Sequence, residues 1–429
     1  MKRTAFLNAR LIDPAANLDA AGALLVEDGK IADAGPRLFN DAKPASADIV
    51  DCGGQVLAPG LIDLRVFTGE PGAEHRETLA SAGESAAAGG ITSFAMMPVT
   101  DPVIDDAALV DFIKRRAAAN AKVNVYPAAA LTQGLKGGQM AEIGLLQEAG
   151  AIAFTDADRT IASTLIMRRC LTYAANFDAL VIAHAEDPHL AAVGHMNEGA
   201  FAARMGVGGI PAAAEAIIVE RDLRLVELTG ARYHLGQVST AAALEIVAKA
   251  KARGLPVTCA VSAHHLVLNE QDIGEYKTFA KVSPPLRSED DRKAMVEGVR
   301  SGIIDAIVSS HDPQAPETKR LPFAQAAYGA VGLETLLPAA LSLHHEGGIS
   351  LIDVLRRLTI QPAKLLRLDA GRLAKGAPAD LVLFDPGSPR KIDPAEFRSR
   401  CKNSPFKGRL MQGRVLRTVV GGQTVFSAT

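Results

Sequence analysis

Short apolar runs alternate with Ala- and charge-rich stretches from about residue 60 to residue 311 of the 429-residue chain. This alternation predicts repeated βα units around a parallel sheet. The runs at 152–154, 180–183 and 306–308 are apolar at every position, which is typical of strands covered on both faces. Eight such units predict an α/β fold, a (β/α)₈ barrel of the TIM type. The eight runs lie at 61–67, 91–97, 123–131, 151–155, 180–185, 232–238, 256–262 and 304–310.

Both ends of the chain carry a different pattern, in which short strands are joined by tight turns. Residues 23–31 fit a strand, an Asp-Gly turn and a second strand, and residues 379–384 and 418–425 have similar composition. We therefore expect the two termini to build one small β-sandwich domain. The predicted division is residues 1–57 and 370–429 for this domain and residues 58–369 for the barrel.

Composition excludes several classes of protein. Lys and Arg total 46 against 48 Asp and Glu, and no basic stripe is present, so nucleic acid is not an expected partner. The cysteines at 52, 170, 259 and 401 form no Cys-x-x-Cys pair, which favours reduced thiols. There is neither a signal sequence nor an apolar run of about 18 residues, so we expect a cytoplasmic chain without membrane contact.

Residues 59–72 read Pro-Gly-Leu-Ile-Asp-Leu-Arg-Val-Phe-Thr-Gly-Glu-Pro-Gly. This segment resembles the first-strand signature of type I dihydroorotases of the amidohydrolase superfamily, Pro-Gly-Leu-Ile-Asp-Leu-His-Val-His-Leu-Arg-Glu-Pro-Gly. Because further motifs follow in the same order along essentially the whole chain, the chain is identified as a member of this family. These motifs lie at 134–137, 154–156, 183–187, 196–199, 209–211, 238–240, 263–266, 284–287 and 332–335.

The resemblance places the family's metal site in the barrel mouth, where most of its residues are replaced. Arg65 and Phe67 stand where the family has two histidine ligands, and neither side chain has a lone pair to offer a metal. Gln237 stands in place of a further histidine. Ser310 replaces the aspartate that serves the family as catalytic base, and a neutral hydroxyl cannot take that role.

Two of the family's ligand positions keep their residues, Asp156 and His184. Two protein ligands are fewer than the three or four of a tight zinc site. We therefore expect no metal and no cofactor, with zinc required only if the chain is an active enzyme. We also expect Arg65 to point into the mouth and pair with Asp156, and we interpret His184 as a hydrogen-bonded core residue.

The resemblance also shows that the family's substrate clamp is missing. The family holds dihydroorotate with an arginine, two asparagines and a histidine, and the corresponding positions here are Gly69, Val99, Ser283 and Gln314. Losing the arginine–carboxylate contact alone removes about 1.5 to 3 kcal/mol of binding. We expect weak binding of dihydroorotate at this site.

Three functional interpretations follow. The leading one is a catalytically inactive dihydroorotase-like protein, a pseudoenzyme of de novo pyrimidine biosynthesis. Its resemblance to inactive homologues implies a structural role with aspartate carbamoyltransferase, as a hetero-oligomer, or as a homodimer. The alternative is an active dihydroorotase or other cyclic amide hydrolase that uses Asp156, His184, His311 and Asp312, although a surface or capping role is preferred for Asp312. A third is a binding protein whose mouth holds a small anion on Arg65.

Overall fold

The structure, a computed structural model, describes residues 3–39, 44 and 46–428. Its strands divide between a barrel and a separate sheet. In chain order the strands are β1 (Arg3–Asp13), β2 (Leu18–Glu27), β3 (Lys30–Gly35), β4 (Asp48–Asp51), β5 (Val56–Pro59), β6 (Leu61–Val66), β7 (Ile91–Met96), β8 (Asn124–Pro127), β9 (Val181–Ala183), β10 (Met196–Asn197), β11 (Gly209–Ile210), β12 (Tyr233–Leu235), β13 (Val257–Ser262), β14 (Ala306–Val308), β15 (Leu381–Lys391), β16 (Leu410–Val420) and β17 (Gln423–Ser427).

Parallel strands close into the barrel that the apolar runs predicted. β6, β7 and β8 form one ladder, and β9, β12, β13 and β14 form another. The predicted run 151–155 lies between the two ladders: the Ile152 amide donates to the Pro127 carbonyl and the Phe154 amide donates to the Leu180 carbonyl, both at 2.9 Å. A bridge from β6 to the residues after β14 completes the ring. The (β/α)₈ prediction is confirmed.

Helices connect these strands and cover the outside of the barrel. Their ends carry local caps, as in α10, where Ser288 accepts a hydrogen bond from the Asp291 amide and acidic residues occupy the first turn. The helices are α1 (Leu79–Ala88), α2 (Ala107–Asn120), α3 (Ile143–Ala149), α4 (Thr164–Asn176), α5 (Pro188–Ala191), α6 (Ala200–Met205), α7 (Ala212–Thr229), α8 (Ala241–Ala252), α9 (Ala263–Val267), α10 (Glu289–Ser301), α11 (Pro316–Lys319), α12 (Leu336–His345), α13 (Leu351–Arg356) and α14 (Ile360–Leu366).

The small domain joins both ends of the chain in one hydrogen-bonded sheet. The strand order is β17-β16-β15-β5-β1-β2-β3, and β4 pairs in parallel with β1. Phe6, Leu24, Leu57 and Leu381 are buried together beneath it. The prediction that the two termini build one β domain is thus confirmed. No helix within the described ranges is long and apolar enough to span a lipid bilayer.

His234, on β12, gives the barrel a pH-dependent stability. Its side chain is fully buried, and its Nδ1 lies 2.8 Å from the Thr258 hydroxyl. Burial lowers the pKa of His234 to about 3. An unfolded histidine has a pKa of about 6.5, so the unfolded chain takes up this proton first and the folded state loses stability as the pH falls below that value.

We expect the substitution His234→Asn to remove about 2 kcal/mol of the stability difference between about pH 7 and about pH 5. Urea denaturation at the two pH values measures this. The exposed His75→Asn is the matched control and should leave the difference unchanged. Equal pH dependence in the wild type and His234→Asn would contradict a buried, neutral imidazole.

Candidate functional site

A cavity of about 260 Å³ opens at the carboxyl ends of the barrel strands. We call it the mouth cavity. It is built from the ends of β6, β7 and β14 and from the loop that precedes α12, so it lies where barrels carry their chemistry. Seven of the residues singled out from the sequence line it: Arg65, Phe67, Val99, Ser283, Ser310, Asp312 and Gln314.

Arg65 points into the mouth cavity, as strand parity predicted. Its side chain is almost wholly buried, at 3% exposure. Its Nη1 donates to the Ala157 carbonyl at 3.1 Å, and its guanidinium carbon lies 5.2 Å from the centre of the Phe67 ring. Its Nε has no hydrogen-bond partner, and burial lowers the pKa of Arg65 below its ordinary value. A cation with few hydrogen bonds therefore lines the site.

The carboxylate of Asp156 does not face Arg65. It accepts hydrogen bonds from the amides of Leu131 and Thr132, at 3.1 and 2.8 Å, and from the Thr132 hydroxyl. The predicted salt bridge between Arg65 and Asp156 is therefore wrong, because the loop after β8 supplies three donors that hold the carboxylate on its own side. Burial raises the pKa of Asp156.

His184 is buried beside Asp156, outside the lining of the mouth cavity. Its Nε2 lies 3.4 Å from the Ser283 hydroxyl and 4.0 Å from a Glu186 carboxylate oxygen. Burial and the positive charge of Arg65 lower the pKa of His184 to about 4. The imidazole is thus neutral near pH 7, which agrees with its interpretation as a core residue.

Gln237 and Ser310 contact each other across the end of the barrel. The Gln237 amide nitrogen donates to the Ser310 hydroxyl at 2.9 Å, and the Gln237 amide oxygen has no partner. Two positions that the family uses for metal and base chemistry are therefore joined by a neutral hydrogen bond. Neither side chain can accept a proton from water near neutral pH.

His311, predicted to belong to the chemistry of the mouth, lies behind it instead. Its Nε2 is 3.4 Å from a Glu77 carboxylate oxygen, and its Nδ1 accepts from the Gly332 amide at 3.2 Å. Both side chains of the pair are fully buried. Burial alone would raise the pKa of Glu77. Hydrogen bonding and the charge of His311 outweigh this effect and keep the pKa of Glu77 below its ordinary value. This pair fastens the barrel to the segment around Ser399, whose hydroxyl also donates to Glu77.

Asp312 lines the cavity, so the predicted surface or capping role is wrong. One of its carboxylate oxygens forms an ion pair with Arg76 at 2.7 Å and accepts from the Gln314 amide at 2.8 Å. Burial raises the pKa of Asp312 to about 6. The residue follows Ser310 closely in sequence, and the chain turns it inward because Arg76 is available as a partner.

The four substrate-clamp positions contribute no charge to the site. Val99, Ser283 and Gln314 line the cavity, whereas the backbone of Gly69 turns away from it with a φ of 75°. A side chain at Gly69 would meet the Ala73 carbonyl at 2.7 Å, so the position accepts only glycine in this loop.

Three charged residues at the site were not singled out from the sequence. Arg76 and Asp158 line the cavity, and Glu77 pairs with His311 behind it. A signal was available for two of them, because Arg76 and Glu77 directly precede Thr78, the N-cap of α1. Asp158 lies two residues beyond Asp156, in a loop where strand parity no longer applies.

The architecture is a closed barrel with polar groups at its mouth, joined to a small sheet from both termini, and the comparisons assign this architecture to the amidohydrolase class. Residues 305–426 match the family model described as "Amidohydrolase family". The chain also resembles the solved structure of L-hydantoinase (dihydropyrimidinase) from Arthrobacter aurescens, with a TM-score of 0.89 and 27% identity, covering 100% of this chain and 96% of that one.

The comparisons also identify the family. Residues 54–243 match the model described as "Dihydro-orotase-like". A dihydroorotase of Ehrlichia canis is 45% identical over 99% of this chain and 95% of its own length, and one of Anaplasma phagocytophilum has the same identity and coverage. The chain belongs to the dihydroorotase-like family of amidohydrolases.

Membership in this family corrects one prediction. The sequence-based expectation that no cofactor is involved is wrong, because amidohydrolases are typically zinc-dependent and the curated relatives carry the name of such an enzyme. Zinc is therefore the cofactor that the family implies.

The residues of the mouth do not fit that ion where the family holds it. A guanidinium occupies the position, and the carboxylate of Asp156 is turned to backbone amides. Within the described part of the chain, no group of three or more His, Cys, Asp or Glu side chains is arranged to hold a metal. We derive no catalytic step through a metal.

Proposed function

We propose that this chain is a non-catalytic dihydroorotase-like protein of pyrimidine biosynthesis. One observation carries the proposal: the buried guanidinium of Arg65, packed on Phe67, lines the mouth cavity. A fixed positive charge at this point repels a metal cation. It also stands at a position where the family carries a metal-ligating histidine.

The proton chemistry of the mouth supports the same conclusion. Ring opening of a cyclic amide needs a base placed against the attacking water. The family's base position is the Ser310 hydroxyl, which accepts a hydrogen bond from Gln237. The nearest carboxylate in sequence, Asp312, is held by Arg76 and Gln314. A carboxylate engaged by these two side chains has to give up its contacts before it can take a proton from the attacking water.

As partner we propose aspartate carbamoyltransferase, in a complex that supports assembly of that enzyme. Support comes from the resemblance of the sequence to inactive dihydroorotase homologues that associate with it. A barrel without catalytic chemistry needs another role, and contact with a partner through its surface is a role that this fold can carry.

We expect this chain to copurify with the aspartate carbamoyltransferase of the same genome when the two are expressed together. Size-exclusion chromatography of the mixture at micromolar concentration should give one peak that contains both proteins. Each protein run alone provides the control. Two peaks that coincide with those of the separate proteins would refute a stable complex.

The names of the relatives favour a second candidate, a cyclic amide hydrolase, more directly than the first. Curated relatives with 45% identity are named dihydroorotase, and L-hydantoinase has a closely similar structure. For this candidate, Asp312 would act as the displaced base within the mouth. Assays with dihydroorotate, hydantoin and dihydrouracil test it. Turnover of one of them by the wild type, lost in Asp312→Asn, would establish this candidate and refute the first.

A further inference from the structure

The charges that line the mouth cavity are unevenly satisfied. Among the described residues, four charged side chains line the mouth cavity, two arginines and two aspartates: Arg65, Arg76, Asp158 and Asp312. Arg76 and Asp312 form an ion pair at 2.7 Å, so these two neutralise each other. Among the residues that the structure describes, Arg65 and Asp158 form no such pair, with each other or with a third residue. One cation and one anion therefore remain open to a ligand.

Arg65 is the stronger of the two anchors. It is 3% exposed, its Nη1 donates only to the neutral carbonyl of Ala157, and its Nε has no partner. A buried charge with so few contacts costs free energy that an anion in the cavity would recover. Asp158 is exposed at the rim and lies near enough for its charge to act on Arg65.

The remaining walls suit a small molecule. Phe67, Val99 and Val282 give the cavity an apolar side, and Ser283 and Gln314 add neutral hydrogen-bonding groups. Its volume of about 260 Å³ is slightly below the ~300 Å³ at which the range for drug-sized ligand sites begins, so the ligand must be small. A dianion is disfavoured because the unpaired Asp158 would repel its second charge.

We propose that the mouth cavity binds a small zwitterion of the amino-acid type, with its carboxylate on Arg65 and its ammonium group toward Asp158. The guanidinium offers a carboxylate a planar pair of donors. The inference goes beyond the function proposed above and does not depend on it, because binding is a property of the chain alone.

Isothermal titration calorimetry with glycine and β-alanine tests the proposal. At least one of the two should bind. Acetate, which lacks the ammonium group, and glycinamide, which lacks the carboxylate, should bind about tenfold more weakly or not at all. Thermal denaturation with the same four compounds gives an independent readout.

Two variants remove the anchors, and each has a matched control. Arg65→Met and Asp158→Asn should each weaken binding by about tenfold or more, whereas the surface substitutions Arg224→Gln and Asp111→Asn should not. Val99→Phe fills the cavity while leaving both charges in place, so it tests the site even if Arg65→Met does not fold. No heat and no thermal shift with either amino acid, or unchanged affinity in Asp158→Asn and Val99→Phe, would overturn the proposal.

Discussion

Purified protein supplied with zinc is expected to open the ring of dihydroorotate no faster than the uncatalysed reaction. The loss is large because several requirements fail at once. Arg65 replaces a metal-ligating histidine in the wall of the cavity, Ser310 stands where a base is needed, and Gly69 leaves the substrate carboxylate without its arginine. Enzymes accelerate their reactions about a millionfold or more over the uncatalysed rate. A site that lacks several of its cooperating groups retains little of this acceleration.

The assay follows hydrolysis of dihydroorotate by its ultraviolet absorbance, with and without added zinc. The Ehrlichia canis dihydroorotase, prepared in the same way, is the positive control. Zinc-dependent turnover by this chain within about a hundredfold of that control would refute the pseudoenzyme proposal and establish the hydrolase candidate.

The pattern of apolar runs predicted the barrel because most of its strands are buried on both faces, so their residues form continuous apolar runs in the sequence. The same pattern predicted the first and last residues of the strands less well. The run 123–131 yields only four residues of regular strand, Asn124–Pro127, because the chain beyond turns into the loop that holds Asp156. The run 151–155 is inserted between its neighbours through single bridges without a regular ladder. Hydrophobicity reports burial, and burial continues past the end of a strand.

For the site, strand parity was sufficient for residues on strands and insufficient for residues in loops. Arg65 and Phe67 alternate on β6, so their direction followed from the sequence. Asp156 closes a run but takes its direction from the Leu131 and Thr132 amides, which are about 24 residues away in sequence. Hydrogen bonds that distant in sequence leave no periodic signal in the chain.

A buried ion pair does lie near the barrel mouth, but between other residues than those predicted. Arg287 and Glu215 are both about 1% exposed, and their charged groups approach to 3.6 Å. Arg287 also donates to the Ser239 hydroxyl, to the Asn197 amide oxygen and to the Ile210 carbonyl. The pair thus connects α7 and the loop before α10 to the short sheet of β10 and β11.

We expect Arg287→Met to lower the free energy of unfolding by about 3 to 5 kcal/mol, because it leaves the Glu215 carboxylate buried without its cation. Glu215→Gln should cost less, since the amide keeps an acceptor for the donors of Ser239 and Thr240. In the double variant no charge remains unpaired, so its loss should be smaller than the sum of the single losses by about 1 kcal/mol or more.

Urea denaturation of the wild type, both single variants and the double variant measures this coupling energy. The exposed pair of Arg224 and Glu220, substituted in the same way, is the control and should give about 0.5 kcal/mol or less. Strictly additive losses at Arg287 and Glu215 would contradict the pair. In that case Arg287 would stabilise the fold only through its hydrogen bonds to neutral groups. Arg287→Met would remove these bonds to the same extent with glutamate or glutamine at position 215.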